Sequence, residues 1–267
     1  MIRNSLKKTQ EATFAIELPH PHHDEMPTPM GTGFFISPDG WFVTAAHVVT
    51  ENGNIRTDLS KAYISKETRL GDWANTVPIT CKGLNLEYLD PSTDFVILKV
   101  DFKTNATKAW LKNRKEFPFI QISSRELEEG EPVYSFGYPL ADPDSQNMGN
   151  ITWGYSGLCP RVTSAIVSST FEKQPMVMTD GDPKVYVLDK ALNYGNSGGP
   201  IIATETGKVH AFCSRFQPVG IPQGHLLYRN GVPLVIVIPS LYGIVYRLNN
   251  PNILKELKDK NIPISSI

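Results

Sequence analysis

Three segments of the chain carry residues able to act together on a carbonyl carbon. The densest is Gly195-Asn196-Ser197-Gly198-Gly199-Pro200. A serine hydroxyl is a weak nucleophile until a neighbouring base takes its proton. Flanking glycines let the backbone turn tightly, so that amide N–H groups can converge on a developing oxyanion. Taken alone, the segment also reads as a glycine-rich turn between two strands. The second segment, Thr44-Ala45-Ala46-His47-Val48-Val49, ends a strand–turn–strand pattern that starts at Thr32 and turns at Pro38-Asp39-Gly40. The third, Ser92-Thr93-Asp94, places an acid at the mouth of the apolar run Phe95-Val96-Ile97-Leu98-Lys99-Val100. His, Asp and Ser follow one another in one of the chain orders used by Ser-His-Asp hydrolases. There the acid orients the imidazole that deprotonates the serine.

The elements that must position these residues are mostly short strands. Thr13–Leu18, Gly33–Ser37, Trp41–Ala45, Phe95–Val100, Pro132–Phe136, Val162–Ser168, Val185–Leu188, Val209–Cys213 and Leu234–Ile238 are rich in β-branched and aromatic residues. Each is bounded by Gly, Pro, Asn or Asp, which the 20 glycines and 21 prolines supply. Many short strands with few helical periods point to an all-β protein, a barrel or a sandwich. Two helices are expected near the end. Ser240 would cap one over Leu241–Leu248. Asn250 would cap another, with Pro251 in its first turn and Ile253, Leu254 and Leu257 on one face. The polar stretch 111–131 is the expected linker between two halves of similar size, residues 1–125 and 126–267.

Composition narrows the class. The 267 residues carry 26 basic and 27 acidic side chains, a net charge of −1 that gives no reason to expect a nucleic acid or an anionic membrane as partner. No apolar run reaches the ~18 residues of a spanning helix. The basic start, Met1 to Lys8, is followed by Thr9, Gln10 and Glu11 where a signal peptide needs an apolar stretch. The three cysteines, Cys81, Cys159 and Cys213, are odd in number and far apart, so free buried thiols are expected, and with them the cytoplasm. His20-Pro21-His22-His23-Asp24 contains zinc-type ligands, but Pro19, Pro21, Pro27 and Pro29 make it read as an extended surface loop. No metal or other cofactor is expected. Trp41, Trp73, Trp110 and Trp153 read as core or rim packing.

These pieces together resemble the trypsin-like serine proteases of the chymotrypsin fold, in the manner of their HtrA/DegP-type bacterial branch. The matching motifs are Thr44–Val49, Thr93–Lys99, Gly137-Tyr138-Pro139, Val162–Ser168, Asp189–Pro200 and the late Ile238-Pro239-Ser240, in family order over roughly residues 30 to 245. The resemblance implies two packed antiparallel six-stranded β-barrels with the active site between them, followed by a short C-terminal helical segment. It implies Ser197 as nucleophile, His47 as general base and then acid, and Asp94 as its orienter. Asp90 is the rival acid, but it precedes Pro91 as a turn residue does. Gly195 and Ser197 would supply the oxyanion hole through their N–H groups. Leu192 would line the primary pocket, and Phe212, Cys213 and Ser214 would pair with extended substrate. Ala191 stands where trypsin has its acidic pocket floor, so small or medium apolar side chains are expected before the scissile bond.

The departures from that pattern matter equally. No PDZ module is expected after Tyr246, and the Ile-Val-Gly-Gly start and the disulfides of secreted trypsins are missing from the sequence. Residues 141–159 and 217–232 look like insertions of the kind that border the cleft in the family. The expected function is a serine endopeptidase acting on protein or peptide substrates. An activating protein partner or self-assembly would order its oxyanion loop if it is latent. The rival is a protease-fold binding or adaptor module that does not cut; an intact His47, Asp94 and Ser197 argues against it.

Overall fold

The computed structural model describes residues 2–20, 23–51, 53–56, 58–69, 76–112, 114–139, 158, 160–171, 184–192, 194–220, 227–229, 232–234 and 237–266. The first half contains α1 (Ile2–Ala12), β1 (Thr13–His20), β2 (His23–Phe35), β3 (Trp41–Ala45), α2 (Ala46–Val49) and a small ribbon, β4 (Thr50–Glu51) and β5 (Asn54–Ile55). It continues through β6 (Tyr63–Arg69), β7 (Thr76–Lys82), β8 (Leu84–Asp90), β9 (Phe95–Val100) and α3 (Asn105–Leu111). The second half contains β10 (Ile122–Ser123), β11 (Pro132–Gly137), β12 (Arg161–Phe171), β13 (Val185–Leu188), β14 (Pro200–Ala203) and β15 (Val209–Gly220). After them come β16 (Leu227–Arg229), β17 (Val232–Leu234), β18 (Val237–Arg247), α4 (Pro251–Asp259) and β19 (Ile264–Ser265).

Closure of the second half is visible in its pairings. The order β14-β11-β12-β13-β18-β15 returns to its start through β14–β15, and every pairing in the ring is antiparallel. The first half is a strongly curled sheet of order β7-β6-β1-β2-β3-β9-β8. The all-β, two-barrel expectation is therefore met, with one closed six-stranded barrel and one curled half-barrel. Closing or curling a sheet leaves few free edges and gives each strand an inner face to bury. In the first half that face holds an aromatic cluster: the ring centroids of Phe35 and Phe117 lie 4.4 Å apart, and those of Trp110 and Phe117 4.9 Å. Trp41 lies at the rim, with Lys99 Nζ 4.1 Å from its ring centroid. Trp73 and Trp153 lie outside the described residues.

Elements toward both ends of the chain differ from expectation. Residues 241–248 are not a helix: up to Arg247 they belong to β18, paired to β13 on one side and β15 on the other. Ile244, Val245 and Tyr246 are buried in that central position, where β-branched and aromatic residues pack well on a pleated surface. Near the start, where the sequence shows a basic stretch without an apolar run, Ile2–Ala12 form α1. Its inward positions are the partly buried Leu6 and the buried Thr9 and Ala12, spaced for a helix face with only one large apolar side chain. Lys66 Nζ donates to the carbonyls of Glu11 (2.7 Å) and Gln10 (3.4 Å), satisfying two of the groups that a helix C-terminus leaves open.

The two halves are strapped together in both directions. From the first half, α1 reaches the second: the Thr9 and Tyr134 hydroxyls share a buried hydrogen bond of 3.1 Å. From the second half, α4 returns to the first, as its expected cap and face allow. Asn250 Oδ1 accepts from Asn252 N, while Ile253 and Leu257 are fully buried in the large core cluster that contains Phe34 and Phe42. Beyond it, β19 adds a parallel pairing to β10. Leu257→Ala is expected to cost about 2–5 kcal/mol, the range for emptying a fully buried leucine site. The measurement is the shift in urea midpoint against the parent chain.

Candidate active site

Asp94 follows a turn organised by Asp90. The Asp90 carboxylate accepts from Ser92 N (2.9 Å), Ser92 Oγ (2.6 Å) and Thr93 Oγ1 (2.9 Å), so it holds the turn and does not face His47. That turn delivers Asp94 with φ 52°, a left-handed conformation that is costly for most residues and more tolerable for Asp. What holds it is a set of contacts with the His47 segment. The Asp94 carbonyl accepts from Ala46 N at 2.8 Å, Oδ1 accepts from His47 N at 2.9 Å, and Oδ2 lies 2.8 Å from His47 Nδ1. Sheet pairing brings the two segments together, because β3 and β9 are neighbours with Ala45 opposite Phe95.

The second half contributes Ser214, whose Oγ donates to Asp94 Oδ2 at 2.7 Å. Burial works against the charge on Asp94. The hydrogen bond and charge of His47, with the Ser214 hydroxyl, outweigh it and hold the carboxyl below its ordinary range. The carboxylate is mostly covered, 13% exposed, while the imidazole is about half exposed, so one edge of the ring is anchored and the other stays open to solvent. With Nδ1–H donating to the carboxylate, Nε2 is left as the acceptor.

Ser197 stands at the cleft side of the second barrel. Its hydroxyl donates to the Ser214 carbonyl at 3.3 Å, and its own carbonyl accepts from Thr32 N at 2.8 Å. The loop before it turns through Gly195, at φ 90°, and the chain leaves through Gly198, at φ 82°. A Cβ on Gly198 would run into Thr44 Oγ1 and the Thr32 carbonyl, so glycine is needed there for space as well as conformation. Ser214 thus links Asp94 and Ser197, and His47, Asp94, Ser197 and Ser214 form one connected constellation between the halves.

The remaining site expectations are distributed differently. Leu192 is 3% exposed and packs in the second barrel's core with Tyr186, Cys213 and Val245. Phe212 is fully buried, its ring centroid 5.7 Å from that of Phe95 across the two halves. Cys213 is buried too; its N–H donates to Gly199 O and its carbonyl accepts from Gly198 N. Phe212 and Cys213 are therefore taken up by packing and internal pairing. Of the three, Ser214 alone turns a backbone group toward Ser197. The reason is the Ser197 loop itself, which uses the Cys213 hydrogen-bonding groups to fix its own turn.

Thr32 and Thr44 escaped the sequence reading. Thr44 Oγ1 donates to Thr32 O at 2.7 Å, and Thr32 Oγ1 donates to Gly195 O at 2.6 Å. The only signal is a small polar residue held between Gly31 and Gly33. Among the described residues no three His, Cys, Asp or Glu side chains cluster as metal ligands. The side chains of residues 20–24 lie outside the described set, as do residues 141–157 and 159. Of 217–232, residues 217–220 prolong β15 and 227–229 pair with β17; residues 221–226, 230 and 231 lie outside the described set. Among the described residues no helix is long and apolar enough to cross a membrane.

A closed barrel carrying a serine, set against a curled sheet carrying a carboxylate-anchored histidine, defines the trypsin-like class. The chain belongs to the trypsin-like peptidase domain family, whose pattern matches residues 31–211. It is 27% identical over 189 residues to a probable periplasmic serine endoprotease, DegP-like, of Chlamydia muridarum, a match covering 68% of this chain and 29% of that protein. It is 28% identical over 181 residues to the serine protease HTRA1 of Xenopus laevis, covering 67% and 30% of the two chains. A third relative is the mitochondrial serine protease HTRA2 of Drosophila willistoni, 26% identical over 251 residues, covering 86% and 47%. The chain spans less than half the length of each of these relatives.

The lowered pKa of Asp94 has a consequence for stability. A carboxyl held below its unfolded value stabilises the fold above the ordinary carboxylate range, and that contribution is lost as pH falls through the folded value. The urea-midpoint difference between the parent chain and Asp94→Asn is therefore expected to shrink as pH is lowered from 5 to 3. A difference that stays constant over that window would contradict the assignment.

Proposed function

We propose that the chain is a serine endopeptidase that hydrolyses peptide bonds of protein substrates through an acyl-enzyme on Ser197. The observation that carries this reading is the anchoring of His47 on the buried Asp94 carboxylate, one residue removed from the Ser197 hydroxyl through Ser214. Family membership and the three protease relatives support it.

In this mechanism the Ser197 hydroxyl turns from the Ser214 carbonyl toward His47 Nε2. Its proton passes to Nε2 as Oγ attacks the substrate carbonyl, and the carbonyl π electrons move to oxygen. The N–H groups of Gly195 and Ser197 receive that oxyanion; one such donor is worth about 2.7–4 kcal/mol of transition-state stabilisation in acyl transfer. Asp94 holds the imidazole in the required tautomer and stabilises the imidazolium. Collapse of the adduct breaks the C–N bond, with the His47 proton going to the leaving amine. Water, activated by the same imidazole, then releases the second product. Substrate backbone would pair from Ser214 onward, where the Phe212 and Cys213 groups are already used.

The substrate side chain before the scissile bond is proposed to be small or medium and apolar, since Ala191 offers no carboxylate to a Lys or Arg. Labelling with a fluorophosphonate followed by intact-mass measurement should give one adduct on the parent chain and none on Ser197→Ala. Asp94→Asn should slow turnover by about 10⁴-fold, the cost of the wrong imidazole tautomer. Folded parent chain without an adduct would favour the latent or non-cutting readings instead. In a peptide-library digest, cleavage after Ala, Val or Leu should exceed cleavage after Lys and Arg; the reverse order would overturn the pocket assignment.

A further inference from the structure

Thr32 is fully buried, and its N–H, carbonyl and hydroxyl are all hydrogen-bonded at one point in the fold. Its N–H donates to Ser197 O (2.8 Å) and its carbonyl accepts from Thr44 Oγ1 (2.7 Å). Its hydroxyl donates to Gly195 O (2.6 Å) and accepts from Tyr138 N (3.0 Å). Three separate pieces of the site meet there: the nucleophile loop, the end of β3 that leads into His47, and the residue that follows β11.

The hydroxyl contact falls at a sensitive place. The two proposed oxyanion donors are the N–H groups of Gly195 and Ser197, and the peptide plane between Gly195 and Asn196 lies between the two planes that carry them. Gly195, at φ 90°, has little steric preference of its own, so local sterics leave the relative tilt of those planes soft. Fixing the Gly195 carbonyl sets ψ of that residue, and with it the relation between the two donors. Thr32 N on Ser197 O fixes the other end of the same short loop. A two-point clasp of this kind supplies the rigidity that preorganised electrostatic stabilisation requires. The Tyr138 N–H keeps the hydroxyl proton directed at Gly195, because it occupies the oxygen's acceptor side.

We propose that Thr32 is a positioning residue for the oxyanion loop: its buried hydroxyl, held by Tyr138 N, clamps the Gly195 carbonyl and keeps the amide donors of Gly195 and Ser197 convergent. This rests on the endopeptidase reading for its kinetic consequence, though not for its structural one. Thr32→Val keeps shape and removes the hydroxyl, whereas Thr32→Ser keeps the hydroxyl and removes a methyl.

The test has two readouts. The first is fluorophosphonate labelling rate together with kcat and KM on a peptide substrate. Thr32→Val is expected to lower labelling rate and kcat by about 10- to 100-fold, less than the 10²–10³ of losing a donor outright, with KM changed by less than about threefold. Thr32→Ser should return both to within about threefold of the parent. The second is amide hydrogen exchange of peptides covering residues 194–199, measured in the parent and in a Ser197→Ala background. Thr32→Val should speed exchange there and Thr32→Ser should not. Parent-like labelling and exchange in folded Thr32→Val would overturn the proposal. So would equal loss in Val and Ser variants, which would assign the effect to packing, or a loss confined to KM. If the parent chain itself does not label, the endopeptidase reading fails, and the exchange comparison alone decides the clasp. Should Thr32→Val not fold, Thr32→Ala against Thr32→Ser serves for the same comparison.

Discussion

The geometry of this site hangs on one carboxylate. Asp94 accepts from His47 twice through its side chain and from Ala46 through its backbone, and accepts a hydrogen bond from the Ser214 hydroxyl on the opposite half. A buried charge is tolerated only when its lone pairs are satisfied, and here the partners come from both sheets. The same junction is backed by apolar packing: Phe95, next in the chain to Asp94, meets Phe212, two residues before Ser214. Polar contact and ring contact thus fix the same relative placement of the halves. Misalignment would leave the carboxylate short of donors and the rings short of neighbours at once. That coupling makes the left-handed backbone of Asp94 affordable.

How much of this was legible depended on how locally each feature is encoded. The strands around the site could be read because their β-branched and aromatic runs end at Gly, Pro or Asp, and nearly all of them are present. The choice of Asp94 over Asp90 was legible from the proline beside Asp90, and the structure gives the physical counterpart: Asp90 spends its oxygens on its own turn. By contrast, α1 lacks a large apolar stripe, since its buried positions include Thr9 and Ala12; only its docking partners, Tyr134 and Lys66, explain why it is a helix. The helix expected at 241–248 rested on Ser240 as a cap. It gave way to a strand because Ile244, Val245 and Tyr246 find sheet neighbours on both sides, which no local window can reveal.

The surroundings of Phe212 and Cys213 have a related origin. A sequence shows that a strand approaches Ser197, but not which of its backbone groups are already spoken for. Gly198 and Gly199 claim those of Cys213. Thr32 was hidden for the same reason: its role lies in partners at Tyr138, Gly195 and Ser197, more than a hundred positions away along the chain.

The reciprocal straps between the halves carry a mechanical implication. Helix α1 leaves the first sheet to grip the second barrel, while α4 leaves the second barrel to pack into the core of the first half. Two crossed ties of this kind resist the hinge that would otherwise open along the cleft, because separation of the halves must break both at once. The arrangement then favours a fixed cleft over a hinged one, and leaves side-chain torsions as the local freedom there. A ligand that pulled α1 away would act on the frame as a whole, releasing one tie and putting the load on the other.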